Sequence, residues 1–571
     1  MLRGLSPATC RLLQLRRGRA SALVAAHRGA SSSTCAAGRA ARTPLPAPAA
    51  AAPVLHAPPP AAARLAPAAA AATAAASGPA AAAPGEAPQP PLSFEGRPGL
   101  RDEEGRLLLK NLTFEELEEW CESIGEGPRR AGQVWRAMYG HGRYARTWED
   151  GAPGDALFSR AFQRKAEAGA SLHGGLTLQR VSTAPDGTHK LVFALHGGGE
   201  GAATGSVETV LIPMYNRAGT QPRYTACLSS QVGCAMNCAF CYTGRMGLLG
   251  NLSAAQVVEQ VVEARRWLAA RQLEERAAAR ERGADGGGGG DDSGGAEGGE
   301  GGEGRGERRR RGDARPPAPP RINNIVFMGM GEPLHNTDAV LPALDILCSP
   351  TGLAFSRSKV IVSTVGLVPE LRRLRASGKA KLAVSLHATT DEVRSWIAPV
   401  NRKHSLGELM GALAELYPKR LAATPGRSDD FIILEYVMLE GVNDTDDDAR
   451  RLLALTEDIY CMINLIIFNE FHGTIFKGSG GERVSSFRSI LIQGGRVCTV
   501  RASKGAPEAA ACGMLGDGPA ANPRGGAPLL KPPPRLRDAF GEAVERARAS
   551  MMQPADQAAR QQAASSSPAG V

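Results

Sequence analysis

The stretch Cys234-Ala-Met-Asn-Cys238-Ala-Phe-Cys241 places three thiols within eight residues, at the spacing C-x3-C-x2-C. Thiolates this close in sequence converge on a soft metal ion or a cluster when the backbone folds around it. A closed zinc site takes four protein ligands, as does a fully ligated four-iron cluster. Three thiols without a nearby His leave one coordination position open, which is typical of a reactive metal site. Zinc binding and three unrelated structural thiols remain the alternatives from spacing alone.

The thiol stretch also has an aromatic residue, Phe240, directly before its last Cys, and in this it resembles the signature of radical S-adenosylmethionine (SAM) enzymes. The run Cys227-Leu-Ser-Ser-Gln-Val-Gly-Cys234 and the distant Ala511-Cys512-Gly513 resemble one branch of that superfamily. This branch contains the ribosomal and transfer RNA adenine-C2 methyltransferases and their C8-methylating relatives. The resemblance runs from about residue 107 to about residue 516, with one large interruption.

The N-terminal residues 1–92 differ in composition from the rest of the chain. The first 85 residues contain nine Arg, no Lys and no Asp or Glu, and they are rich in Ala, Pro and Ser. This composition is typical of an organelle transit peptide followed by a Pro/Ala spacer. It favours a chloroplast protein ahead of a mitochondrial one, and a disordered cytosolic tail is the alternative. No apolar run is long enough for a membrane span, so we expect no membrane partner.

The same segment accounts for the basic net charge. Of the formal +10, the first 85 residues supply +9, and beyond them 58 Lys and Arg nearly balance 57 Asp and Glu. The overall charge is therefore no evidence for RNA binding, which must depend on a local basic patch. Eleven scattered Cys, an odd number, argue against a disulfide framework and for metal or redox chemistry.

Residues 93–205 predict a small helical accessory domain followed by a β extension. Thr113 and Glu116 have the spacing of a capping box at a helix start. The pair Asp186-Gly187 lies between two apolar runs and predicts a hairpin turn. In the family that the chain resembles, the equivalent helices help to hold RNA.

The core is predicted at residues 206–516, where strand and helix patterns alternate about six times. Parallel βα units of this kind predict an α/β fold, a partial (β/α)6 TIM-like barrel with its site at the C-terminal strand ends. The predicted strands are Tyr224–Leu228, Ile325–Phe327, Lys359–Val362, Lys381–Leu386, Phe431–Val437 and Ile463–Phe468.

One insertion interrupts the core at residues 269–320. Residues 283–306 contain 14 glycines, and four consecutive Arg and a Pro-rich exit follow. A segment of this composition cannot bury a core, so we expect it to be disordered. The C-terminal residues 517–571 are rich in Pro and Ala and contain one predicted helix, Leu536 to Met551.

Candidate SAM contacts fall at the predicted strand ends. Gly331 and Glu332 follow the second strand, where a glycine lets the backbone approach a ligand and a carboxylate can pair with an ammonium group. The other candidates are Ser363, Ser385, Leu386, His387 and Asn469. Each alone is equally consistent with a strand-end cap or a buried polar group. Together they match the SAM contacts that the resemblance implies, beside a 4Fe-4S cluster held by Cys234, Cys238 and Cys241.

The resemblance implies catalytic roles for three further residues. Cys512 would carry the methyl group, and Cys227 would resolve the intermediate by forming a disulfide with it. Glu208 corresponds to a proton acceptor, although an isolated strand Glu is more often solvated. The implied reaction uses two SAM per turnover to methylate C2 of an adenosine in large-subunit ribosomal RNA, with transfer RNA as a further substrate.

The implied partners are RNA and an electron donor such as flavodoxin or ferredoxin, and the implied assembly state is a monomer. Two alternatives stay open. The first alternative is a C8-methylating or other RNA-modifying radical SAM enzyme. The second is a zinc-bound RNA-binding scaffold without turnover.

Overall fold

The computed structural model describes residues 92–140, 142–150, 158–196, 205–215, 223–284, 321–423, 430–501, 504–505, 513–516 and 529–552. The predicted transit peptide and spacer, apart from residue 92, lie outside these ranges. So do residues 285–320 of the predicted insertion. Within the described ranges, no helix is both long and apolar enough to cross a membrane.

The N-terminal part is mainly helical, as predicted. Its elements are β1 (Leu107–Leu108), α1 (Phe114–Ser123), α2 (Pro128–Tyr139), α3 (Arg160–Glu167) and β2 (Ala170–Ser171). The predicted capping box begins α1: the Thr113 hydroxyl accepts from the Glu116 N–H, and the Glu116 carboxylate accepts from the Thr113 N–H at 2.8 Å. Strands β1 and β2 pair in parallel as a separate two-stranded sheet.

An antiparallel extension leads into the core. It consists of β3 (Leu176–Thr183), β4 (His189–Leu195) and β5 (Ser206–Met214). The predicted turn joins β3 to β4, with Gly187 in a left-handed conformation (φ +81°) and the Thr188 N–H donating to the Asp186 carboxylate. Strand β5 then pairs with the first core strand, so that Val210 lies opposite Cys227.

The core alternates strands and helices along the chain. Its elements are β6 (Arg223–Cys227), β7 (Gln231–Cys234), α4 (Tyr242–Arg245), β8 (Gly247–Asn251), α5 (Ala254–Ala284), β9 (Arg321–Phe327), α6 (Thr337–Cys348), β10 (Val360–Thr364), α7 (Val368–Ser377), β11 (Lys381–Ser385), α8 (Asp391–Ile397), α9 (Leu406–Leu416), β12 (Ile432–Met438), α10 (Asp446–Leu455), β13 (Cys461–Ile467), α11 (Gly481–Gln493), β14 (Val497–Arg501) and α12 (Arg537–Met552).

The main sheet confirms the predicted partial barrel. Its ten strands follow the order β14-β13-β12-β11-β10-β9-β6-β5-β4-β3, and every pairing from β6 to β14 is parallel. The six predicted strands are all present, and β14 adds a seventh parallel strand beside β13. Because all these strands run in the same direction, their carboxyl ends meet at one edge.

The expectation that residues 269–284 are disordered is wrong, because α5 continues to Ala284. The added turns are rich in Ala, Arg and Glu, which are good helix formers. Arg271 forms an i,i+4 ion pair with Glu275 at 2.9 Å and lies over the ring of Trp267. Good helix formers with surface side-chain contacts therefore occupy this stretch, where the sequence lacks an apolar stripe.

The C-terminal helix α12 packs on the core. Its Val544 is buried, and its Phe540 ring lies 5.5 Å from Trp396 and 6.0 Å from Phe476. The Trp396 indole N–H donates to the carbonyl of Leu530, just ahead of the helix, at 3.0 Å. The helix predicted in this region is thus confirmed, and it covers an apolar cluster of the barrel.

A buried ion pair joins the N-terminal part to the core. The Lys110 ammonium lies 2.5 Å from the Glu259 carboxylate of α5, and both side chains are fully buried. The other carboxylate oxygen of Glu259 accepts from the Gly174 N–H at 3.3 Å. The two charges lie 149 residues apart in sequence, so no local pattern predicts their pairing.

Replacing Lys110 with Met, which keeps most of the volume, should lower the free energy of unfolding by about 3–5 kcal/mol, because Glu259 becomes a buried unpaired charge. Urea unfolding followed by tryptophan fluorescence measures this. The double variant Lys110→Met/Glu259→Gln should recover part of the loss, since the unpaired charge is gone. Arg546→Ala, at an exposed ion pair of α12, is the control and should unfold like the wild type. An unchanged midpoint for Lys110→Met would contradict this role of the pair.

Candidate active site

The loops at the carboxyl edge of the barrel surround one cavity. Cys234, Cys238 and Cys241 line it together. Six of the seven predicted SAM contacts line it as well: Gly331, Glu332, Ser363, Ser385, His387 and Asn469. The structure therefore brings together residues that the sequence spreads over more than 200 positions.

Two of the three thiols, Cys234 and Cys238, lie in surroundings that disfavour the thiolate form. Burial raises the pKa of Cys238 well above its ordinary value and raises that of Cys234 strongly, and the neighbouring thiols add to both shifts. In the described part of the chain, no three His, Cys, Asp or Glu side chains converge closely enough to hold a single metal ion. Because metal ligation needs thiolates, loading of this site must release protons.

The loop that carries the thiols depends on close backbone contacts. The Cys241 N–H donates to the backbone carbonyl of Cys238 at 3.1 Å, which closes a tight turn. Asn237 has a left-handed conformation (φ +50°) just before that turn. The loop is tied to helix α8 by the Ala239 N–H, which donates to the Ile397 carbonyl at 2.9 Å.

Gly331 brings the second strand-end loop against the thiol loop. It has a positive φ (+95°), and a Cβ added there would lie 2.5 Å from the Cβ of Gln231. The Gln231 side chain in turn accepts from the Glu332 N–H at 2.8 Å. Glycine is needed here because the neighbouring chain occupies the space of a side chain, a reason that the motif alone does not reveal.

The Glu332 carboxylate is already bound by backbone. One oxygen accepts from the Leu334 N–H at 3.0 Å and the other from the Val365 N–H at 2.9 Å. Burial raises the pKa of Glu332 to about 7, although these hydrogen bonds favour the charged form. A cation in the cavity would favour the charged form of Glu332. Pairing with the SAM ammonium stays a prediction, and this environment is compatible with it.

His387 is held as a neutral ring. Its Nδ1 accepts from the Val437 N–H at 3.1 Å, so the neutral ring carries its proton on Nε2. Burial lowers the pKa of His387 to about 3, and the nearby Arg394 charge adds to this. The ring meets Phe240 of the thiol loop edge-on, with centroids 4.6 Å apart. His387 thus joins the end of β11 to the thiol loop.

Arg394 holds the backbone at the ends of β10 and β11. The sequence did not predict this role. Its side chain is fully buried, with Nε donating to the Leu386 carbonyl at 2.9 Å and Nη2 to the Val365 carbonyl at 2.6 Å. Burial lowers the pKa of Arg394 to about 10, which still leaves it charged at neutral pH. An Arg in a short polar helix resembles a solvated residue, so the sequence carries no signal for this role.

Leu386 is the one predicted SAM contact that is not part of the cavity lining. It is fully buried, and its N–H donates to the Glu435 carbonyl at 3.0 Å while its own carbonyl accepts from Arg394. Its contribution in this structure is to join strand ends; a contact with SAM stays a prediction.

Cys227 lines a second cavity, inside the barrel. The two cavities adjoin, because they share wall residues: Met328, Glu435, Ile466, Ile467, Asn469, Arg501 and Leu515. Cys512 lies outside the described residues, so the disulfide predicted between it and Cys227 stays a prediction. The segment 513–516 that follows Cys512 packs on the thiol loop, where the Tyr242 N–H donates to the Gly513 carbonyl at 2.8 Å.

Glu208 is not a solvated strand residue. It is 4% exposed, and one carboxylate oxygen accepts from the Gly516 N–H at 3.1 Å. The other oxygen lies 3.4 Å from the buried Lys190 ammonium, which compensates the charge. The carboxylate therefore lies directly beside the segment that follows Cys512.

A parallel partial barrel with a three-thiol C-x3-C-x2-C loop at its carboxyl edge is the architecture of a radical SAM enzyme. A solved radical SAM methyltransferase from Sphaerobacter thermophilus is similar, with a TM-score of 0.54 and 32% identity, covering 72% of this chain and 99% of that one. No family model matches the chain.

Curated relatives specify the family further. The dual-specificity RNA methyltransferase RlmN of Syntrophobacter fumaroxidans is 38% identical over 410 residues, which is 72% of this chain and 98% of the relative. That of Syntrophotalea carbinolica is 37% identical over 416 residues, or 72% and 91%. The chain belongs to the RlmN family of radical SAM RNA methyltransferases.

Replacing Gly331 with Ala should lower the free energy of unfolding by about 1–3 kcal/mol from backbone strain alone, before the contact with Gln231 adds to it. Gly411, inside α9, is the matched control, because an added Cβ there meets nothing within 4 Å. Gly411→Ala should raise stability by up to about 1 kcal/mol. Chemical denaturation of both variants measures the difference, and equal effects would contradict the close packing at Gly331.

Proposed function

We propose that this member of the family methylates C2 of an adenosine in large-subunit ribosomal RNA, and a transfer RNA as a second substrate, through a methyl group carried on Cys512. The name of its relatives, dual-specificity RNA methyltransferase, supports more than one RNA substrate. The supporting observation is that Cys227 and the segment after Cys512 line two adjoining cavities, one of them lined by three thiols, and that Glu208 contacts the same segment at Gly516.

The residues around the first cavity fit a 4Fe-4S cluster and SAM. Three thiols ligate three irons and leave the fourth for an external ligand. The backbone at Gly331 and the carboxylate of Glu332 would hold the amino acid end of that ligand, and Ser363, Ser385 and Asn469 offer further hydrogen bonds. When bound, these groups supply a methyl group and the one-electron chemistry needed at an unreactive C–H bond, with an electron from a donor such as flavodoxin or ferredoxin.

The thiols and the carboxylate divide the remaining work. The Cys512 sulfur would attack the methyl carbon of a bound SAM, with S-adenosylhomocysteine as the leaving group, and become a methyl thioether. One hydrogen atom of that methyl group would be lost to the radical that a second bound SAM supplies. The carbon would then add to C2 of adenine, which links protein and RNA covalently, and the adduct would return the electron that began this step. Glu208 accepts the proton lost from C2, and the buried Lys190 compensates its charge in the resting state. Cys227 would attack the Cys512 sulfur and break its bond to the carrier carbon, which takes up a proton to complete the methyl group. Methylated RNA is released and a disulfide remains.

The reaction places one demand on the RNA. C2 of adenine is stacked within a helix, so the target nucleotide must leave the stack to enter a cavity inside the barrel. We further propose that the chain acts in an organelle, the chloroplast ahead of the mitochondrion, because its N-terminal composition is Arg-rich. We also propose that it acts as a monomer.

Cys238→Ala should abolish iron loading, because the described chain offers no other Cys in the cavity lining beyond Cys234 and Cys241. Iron content and the brown iron–sulfur absorbance after anaerobic reconstitution measure this. Cys348→Ala, at a partly buried thiol of α6 outside the lining, is the control and should load like the wild type. Full iron content in Cys238→Ala would refute the cluster assignment.

Cys512→Ala and Cys227→Ala should stop the reaction at different points. Without Cys512 no protein–RNA adduct can form, because the carrier is needed before the bond to C2. Without Cys227 the adduct should accumulate, because only its release is blocked. Denaturing gels with and without nuclease, run after anaerobic turnover, distinguish the two. An adduct in the Cys512 variant would overturn these roles, as would its absence in a Cys227 variant that still consumes SAM.

A further inference from the structure

The cavity inside the barrel has the dimensions of a ligand site. Its volume is about 400 Å³, within the roughly 300–1,000 Å³ of small-molecule pockets. Much of its wall is apolar, with Ile361, Ile433 and Met462 among its residues. Such a wall suits the two faces of a flat ring.

One row of the wall is polar. Glu435 of β12, Asn464 of β13 and Thr499 of β14 are direct neighbours in strand register and line the cavity together. The Asn464 amide donates to the Glu435 carboxylate at 2.9 Å, and the Thr499 hydroxyl donates to the Asn464 carbonyl at 2.8 Å. The row thus holds the carboxylate in one orientation.

A buried carboxylate in this row disfavours folding, so a purely structural role does not explain it. Glu435 is 4% exposed, and burial raises its pKa, against the opposing attraction of Arg501. The positions two residues earlier on β12 and β13, which line the same cavity, are Ile433 and Met462. Apolar side chains in the polar row would complete the barrel without burying a charge. A carboxylate offers about four lone-pair sites, so the bond from Asn464 leaves capacity for the N–H groups of a ligand.

The polar row lies in the same cavity as Cys227 and next to the thiol-lined cavity. Cys227 lines the same cavity from β6, which is four positions from β12 in the sheet. Glu435 itself lines both cavities. A ring that touches Glu435 with one edge therefore lies where the thiol-lined cavity and the cavity of Cys227 meet.

We propose that Glu435 recognises the target base, by accepting a hydrogen bond from the N6 amino group of adenine while Asn464 positions its carboxylate. The inference rests on the proposed function, because it assigns the base-recognition subsite of the same reaction. Extruded bases are held by hydrogen bonds to the Watson–Crick edge and by apolar contacts to the ring faces. The amino group donates to a carboxylate, whereas the O6 of hypoxanthine presents a lone pair to it.

The test compares two RNA fragments that differ only in the target nucleotide, adenosine or inosine. Transfer of labelled methyl from SAM gives kcat/KM for each, and their ratio cancels any change in cofactor binding. The wild type should prefer adenosine at least tenfold. In Glu435→Gln this preference should fall at least tenfold, because an amide offers a donor as well as an acceptor. Met462→Leu, on the same wall, should leave the ratio unchanged.

The outcomes separate the two proposals. An unchanged ratio in Glu435→Gln, or a wild type that methylates both RNAs equally, would overturn the recognition role alone. Absence of methyl transfer by the wild type to either RNA would overturn the proposed function and this role with it. If the Gln variant turns over too slowly to measure, competition of the two RNAs for binding gives the ratio of their affinities for the wild type and for the variant, and an unchanged affinity ratio would overturn the recognition role.

Discussion

The buried guanidinium of Arg394 donates to the carbonyls that end two parallel strands, and much of the site depends on this contact. Its partners, Val365 and Leu386, directly follow β10 and β11. Carbonyl groups at strand ends cannot be left unpaired when buried, and one charged side chain satisfies several of them. Ser363, Ser385 and His387 line the cavity from these same strand ends, so their positions depend on a residue that does not line it.

Two adjoining cavities follow from the direction of the strands. The carboxyl edge collects the thiols and the predicted SAM contacts, while the barrel interior collects Cys227 and the polar row of Glu435. The wall residues that both share place the two cavities side by side.

Local sequence patterns predicted much of this arrangement. The thiol spacing, the strand ends and the capping box at Thr113 are signals within a few residues, and the structure places them as expected. Contacts between distant residues were not accessible in this way. Lys110 with Glu259 and Lys190 with Glu208 pair across many residues, and each charge alone resembles a solvated one. The extension of α5 was missed because its sequence is rich in good helix formers but has no apolar stripe.

The packing of α12 also sets an order of events during protein synthesis. A nascent chain that has reached Gly516 already holds every thiol of the site, but not yet the helix that covers Trp396 and Phe476. Domains fold as units while the ribosome advances at about 5–20 residues per second, so the reactive groups precede their apolar cover. Until α12 follows, the aromatic cluster beside the thiol loop is open to other chains, and exposed surface of this kind promotes aggregation.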